Sequence, residues 1–319
     1  MLVPNSFRRL AITIVGLILL SSGSVLLGQK NKLDKNGNEP LPDAPAVLWR
    51  EPADIASRDL YLGSGGEQMK PDLSSVTFLR DETKSYSTKY RVRDGAGNEW
   101  VVKIGKEAQP ETAASRLVWA AGYFTDTTYL APRVDIKGKG AFENVRFEAR
   151  SKVIKRLDNH WDWEKNPFVG TNELQGLKVL MALINNWDIQ NHNNNVLLVS
   201  DDATGQKELR YIDSDLGASF AKTGRFIGHT RNQPEQYVKS KFVTGVEHGF
   251  VRFAYGGKNQ HLLDNITVAQ AKWLGNILSK LSDQQIRDAF RAANYTPEQI
   301  EGLTQVVKAR ISELVNLAG

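Results

Sequence analysis

The chain has 319 residues and no cysteine, which excludes disulfides, thiolate metal sites, catalytic thiols and lipid attachment at a cysteine. Its five histidines, His160, His192, His229, His248 and His261, show neither His-Glu-x-x-His nor another paired metal spacing, so a zinc site is not indicated. No Gly-x-Ser-x-Gly elbow is present, which argues against an α/β-hydrolase. Gly63-Ser64-Gly65-Gly66 lacks the Gly-Lys-Ser/Thr ending of a Walker loop and the G-x-G-x-x-G spacing, and reads as a turn. There is also no long Lys/Arg run interleaved with aromatics. The net charge of +5 is a mild excess that suits ordinary surface charge, and nucleic acid is set aside as a partner.

What is present divides the chain into four stretches. Arg8 and Arg9 precede an uncharged apolar stretch, residues 10–28, so that 1–28 reads as a signal peptide or as an N-terminal membrane anchor. Both forms predict export: the protein is expected to be periplasmic, secreted or tethered to the membrane through residues 10–28. Residues 29–46 are rich in Lys, Asn, Asp, Gly and Pro and read as a flexible tether. With 41% hydrophobic residues overall, the remainder can build real cores. It is expected to form a β-rich lobe over 47–135 and a mainly helical lobe over 136–319.

In the first lobe, Val76 to Leu79, Lys89 to Arg93 and Glu99 to Ile104 read as strands. The last two are joined by Asp94-Gly95-Ala96-Gly97-Asn98, a hairpin turn rich in residues that accept positive φ. The link before Lys89 carries Lys84, Ser85 and Ser87 in place of glycines, a set of donors able to cover phosphates. Pro110 then suits a first helical turn, and Ala114, Leu117, Val118 and Ala121 share one face of the helix that follows. In the second lobe, apolar residues recur at helical spacing from Glu173 to Trp187, and an Asn-rich run ends that helix. Val196 to Val199 and Leu209 to Ile212 read as a hairpin. Thr267/Gln270, Ser282/Gln285 and Thr296/Gln299 are spaced as capping boxes ahead of periodic apolar segments.

Four polar stations stand out in this framework: Lys103 ending the strand Trp100-Val101-Val102-Lys103-Ile104, Glu111 eight positions later, Asp188 with Asn193, and Asp215 in Asp215-Leu216-Gly217. Phosphoryl transfer needs a cation on the phosphates, an acid to hold that cation, a carboxylate by the attacking hydroxyl, and oxygen ligands for a divalent metal. The stations carry these groups in that order. Asp213 is a rival for Asp215 on the same strand face, and Asn194 and Asn195 are near substitutes for Asn193.

On these residues the chain resembles the protein-kinase-like superfold in one of its atypical branches, those of phosphatidylinositol 3/4-kinases, HipA-like kinases and secreted kinases. Asp188 and Asn193 match the Asp-x-x-x-x-Asn of the catalytic loop, without the usual His-Arg neighbours, and Asp215-Leu216-Gly217 matches the metal-binding turn with Leu for Phe. More narrowly, residues 100–123 and 185–220 look like an uncharacterised family of exported bacterial proteins. The resemblance implies an α+β, two-lobed fold in which Lys103 binds the α- and β-phosphates of ATP or another nucleotide and Glu111 pairs with it. Asp188 would orient the acceptor hydroxyl, and Asn193 and Asp215 would hold Mg²⁺ or Mn²⁺. The acceptor, a protein, lipid or small molecule, is left open. A pseudokinase serving as an envelope scaffold is the alternative, and simple adhesion to anionic envelope polymers is a third reading.

Overall fold

The computed structural model describes residues 40–82, 87–150, 154–201, 204–224 and 228–318. The expected signal peptide or anchor, most of the tether, and both Lys84 and Ser85 lie outside these residues. Among the described residues no helix is long and apolar enough to cross a membrane.

In chain order the described strands and α-helices are β1 (Ala46–Val47), β2 (Val76–Asp81), β3 (Thr88–Arg93), β4 (Glu99–Ile104), α1 (Ala108–Ala120), β5 (Thr128–Lys137), β6 (Gly140–Ala149) and β7 (Ile154–Arg156). They continue as α2 (Asn172–Leu183), β8 (Asn194–Ser200), β9 (Lys207–Asp213), α3 (Pro234–Val238), β10 (Val243–Glu247), β11 (Phe250–Phe253), α4 (Val268–Leu278), α5 (Asp283–Arg291) and α6 (Pro297–Val315). Strands with a lysine, a helix with an acid, then helix, Asn-rich loop, hairpin and Asp turn follow one another as expected, and the strand pair β5–β6 is an addition between them. The fold is α+β, with a β-rich part followed by a mainly helical one.

The β-rich part is a closed barrel in the order β2-β3-β4-β6-β5. Period-two alternation decides which side chains enter it. Trp100 and Val102 of β4, Val145 and Phe147 of β6, and Tyr129 and Ala131 of β5 fill the interior. Their neighbours Val101, Lys103, Arg146 and Glu148 therefore leave on the outer face, where they are buried against the rest of the molecule. The barrel moves the expected lobe boundary. Residue 135 falls inside β5, whose pairing with β6 runs from Thr128 opposite Glu148 to Ile136 opposite Gly140, so the β-rich part extends to Ala149. The tether likewise ends earlier than residue 46, because Ala46 and Val47 pair in parallel with β9 and Leu209 N donates to Pro45 O at 2.8 Å.

Beyond the barrel, β1, β9, β8 and β7 form a second sheet, and α2, α4, α5 and α6 pack on one another around Leu177, Leu180, Leu274, Phe290, Leu303 and Val307. Each capping box closes reciprocally at Thr267/Gln270, Ser282/Gln285 and Thr296/Gln299, satisfying helix-start N–H groups. Gly63–Gly65 is a short 3-10 turn packed on Arg116 and Tyr129. Trp161 and Trp163 are buried against each other, and Trp161 Nε1 donates to Ile212 O of β9.

Candidate active site

Lys103 is 1% exposed, on the outer face of β4. Its Nζ lies 2.6 Å from Glu111 Oε2, 3.3 Å from Asp215 Oδ1 and 3.4 Å from Glu107 Oε2. Burial opposes the ammonium charge, but Glu111 and then Asp215 outweigh it, so the pKa of Lys103 rises above the usual lysine value. Glu111 is 3% exposed in the first turn of α1, and its other oxygen lies 2.8 Å from Arg146 Nη1. The Arg146 contact follows from strand register: Arg146 stands directly across from Lys103 between β4 and β6. One carboxylate is thus held by two cations in a buried setting, where an unpaired member would be costly.

Asp215 comes from the turn after β9. Burial raises its pKa, but Lys103 and then Lys89 hold it below the usual aspartate value, and Gly217 N also donates to Oδ1. Its Oδ2 accepts from no described residue. Asp213, the rival, is buried two residues earlier, and burial, with the Asp215 charge second, pushes its carboxyl far above the usual range. Of the two, it is Asp215 that reaches Lys103.

The Asn-rich run after α2 is a folded hydrogen-bond knot. Asn185 adopts φ 52°, ending the helix. Asn186 then bridges two stations, its Oδ1 accepting from Asp188 N at 3.1 Å and its Nδ2 donating to Asp215 O at 3.4 Å. Asn193 Nδ2 donates to Asp188 O at 2.6 Å, and Ser214 N donates to Asn193 O at 3.0 Å. That leaves Asn193 Oδ1 without a donor among the described residues. Asn194 is committed elsewhere, to Trp161 O, and Asn195 donates to Asn193 O. The Asp188 carboxylate lies 3.1 Å from Lys258 Nζ and accepts from Gln190 Nε2 at 2.6 Å.

These groups border a cleft of about 380 Å³ lined by Lys89, Lys103, Glu111, Asn193 and Asp215 among others. Lys103, Glu111, Asn193 and Asp215 meet there, while Asp188 joins them through its backbone and turns its carboxylate to Lys258. Ser87 reaches this cluster through Glu107, its Oγ donating to Glu107 Oε2 at 2.6 Å. On the barrel side the charges continue: Arg146 binds Glu148 at 2.8 Å, Arg150 and Arg156 also pair with Glu148, and Arg156 pairs with Asp126. Despite burial, Arg150, then Arg146 and Arg156, hold Glu148 far below the usual glutamate range. Arg156 Nη1 donates to Ser214 Oγ at 2.9 Å, tying this network to the Asp215 turn.

Sequence reasoning missed Lys89, Glu107, Arg146, Glu148 and Arg231, whose Nε donates to Glu107 Oε1 at 2.7 Å. The signal for Lys89 was available, since it stands opposite Lys103 in the β3–β4 register and shares its face. Among the described residues no three His, Asp or Glu side chains gather to hold a metal. The uncommitted oxygens of Asn193 and Asp215 fit a hard cation that takes its remaining ligands from phosphates and water.

No family model and no curated protein matches the sequence. Among solved structures, the chain is similar to a Helicobacter pylori proinflammatory kinase, CtkA, with 12% identity and a TM-score of 0.46 over 75% of this chain and 95% of that one. It is also similar to the golgi casein kinase, with 9% identity and a TM-score of 0.34 over 77% of this chain and 73% of that one.

Proposed function

We propose that this protein is a kinase-like phosphotransferase that moves a phosphoryl group from a nucleotide to a hydroxyl acceptor, exported from the cytoplasm by its N-terminal segment. The observation that carries this reading is the single ammonium of Lys103 set between Glu111 at 2.6 Å and Asp215 at 3.3 Å. Glu111, itself held by Arg146, keeps that ammonium charged and in place at the cleft, where it meets the α- and β-phosphates. Asn193 and Asp215 present oxygens to Mg²⁺ or Mn²⁺, whose charge neutralises the phosphates when it is bound. Asp188 orients the acceptor hydroxyl. As the acceptor oxygen bonds to the γ-phosphorus, the bond to the leaving diphosphate breaks and the hydroxyl proton passes to Asp188. The work is positioning and charge neutralisation. The acceptor is a protein, a lipid headgroup or a small-molecule hydroxyl.

A second reading, an inactive scaffold, is favoured by one observation: the Asp188 carboxylate is already engaged by Lys258 and Gln190. The two readings separate by experiment. The full chain should show a thermal shift with ATP that requires Mg²⁺ or Mn²⁺, together with autophosphorylation, and Asp215→Ala should abolish both. A shift without phosphoryl transfer supports the scaffold. No shift and no transfer defeats the nucleotide reading.

A further inference from the structure

Glu107 is buried at the start of α1, yet its side chain makes no capping bond to that helix. Its two oxygens instead gather donors from three separate segments. Oε2 accepts from Ser87 Oγ at 2.6 Å and lies 3.4 Å from Lys103 Nζ, while Oε1 accepts from Arg231 Nε at 2.7 Å. The chain makes room for this approach, because a Cβ at Gly217 would stand 2.7 Å from Glu107 Cβ. Lys103 does not need Glu107 to stay charged, having Glu111 closer at 2.6 Å. A hydroxyl, an ammonium and a guanidinium beside a helix start make up the donor set that a phosphate oxygen takes.

We propose that Ser87, Lys103 and Arg231 form a phosphate subsite in which the Glu107 carboxylate is a resident anion that an incoming phosphate displaces. The inference rests on the nucleotide reading above and adds two residues to it. Arg231 is the third phosphate donor, and Glu107 restrains binding by occupying the donors and repelling the ligand. Ligand-free, the carboxylate keeps three segments together without phosphate. Ligand-bound, it must release at least Ser87 and Arg231.

The test is titration of the full chain, wild type and Glu107→Gln, with metal-free tripolyphosphate and with MgATP. Removing one like charge at short range should tighten both ligands roughly tenfold. A purely structural role would move affinity the other way, so unchanged or weaker tripolyphosphate binding overturns the proposal. If tripolyphosphate tightens and MgATP binds neither protein, the subsite stands and the nucleotide reading fails. Failure of both proteins to bind tripolyphosphate overturns the subsite. Arg231→Gln provides a second measure should Glu107→Gln not fold: weaker tripolyphosphate binding supports the assignment, and unchanged binding refutes it.

Discussion

Two cations, Lys103 in the cleft and Arg310 in the helical part, are each 1% exposed, and their surroundings differ completely. Lys103 faces carboxylates from Glu111, Asp215 and Glu107. Arg310 faces neutral acceptors: Nη1 donates to Leu183 O at 2.6 Å and Asn185 Oδ1 at 2.9 Å, and Nη2 to Ser240 Oγ at 2.7 Å. Burial lowers the pKa of Arg310, whereas at Lys103 the carboxylates reverse that effect. Burial alone therefore does not mark a site. A buried cation with neutral partners stitches the end of α2 to the loop at Ser240, while one among acids stays charged beside the cleft.

The comparison breaks most visibly at Lys103. Lys103→Met should cut phosphoryl transfer by about a thousandfold or more, read by initial rates, since the proposed phosphate cation goes, Asp215 loses its lysine and Glu111 is left with Arg146 alone. It should also lower stability by about 3–5 kcal/mol in denaturant titration, because a buried ion pair loses one member. Arg310→Met should do the reverse in kind. Its expected loss is about 1–3 kcal/mol of stability from unsatisfied buried acceptors, with nucleotide affinity of the folded protein unchanged. A large affinity loss in Arg310→Met would mean that the helical part and the cleft are one functional unit.

Acid titration sharpens the same contrast. Glu148 has its folded pKa depressed by arginines, so its contribution to stability is complete above the ordinary glutamate value and is lost as pH falls from there towards the depressed one. Thermal melts of the wild type should therefore fall off below about pH 4. Glu148→Gln should be less stable at neutral pH and lose part of that acid slope. Arg310→Met should keep the slope.

Much of this could be read locally. Strands β2, β3 and β4, the Asp94–Asn98 turn and the three capping boxes are recorded in windows of a few residues, because periodicity and N–H satisfaction act at short range. The spacing of Lys103 and Glu111 is likewise a strand end followed by a first helical turn. The β5–β6 pair was not legible as strands closing the barrel, since its outer face carries Arg146 and Glu148, residue types that usually signal solvent. Burial of that face is a property of what packs on it.

By itself, then, the sequence determined the local elements and set the four stations in order along the chain. The tertiary structure alone decided that Arg146 shares Glu111 with Lys103, that Asp215 rather than Asp213 reaches the ammonium, and that Glu107 meets Arg231 from far along the chain. Strand register and the packing of distant loops decide these contacts, and neither leaves a periodic trace in the residues that make them.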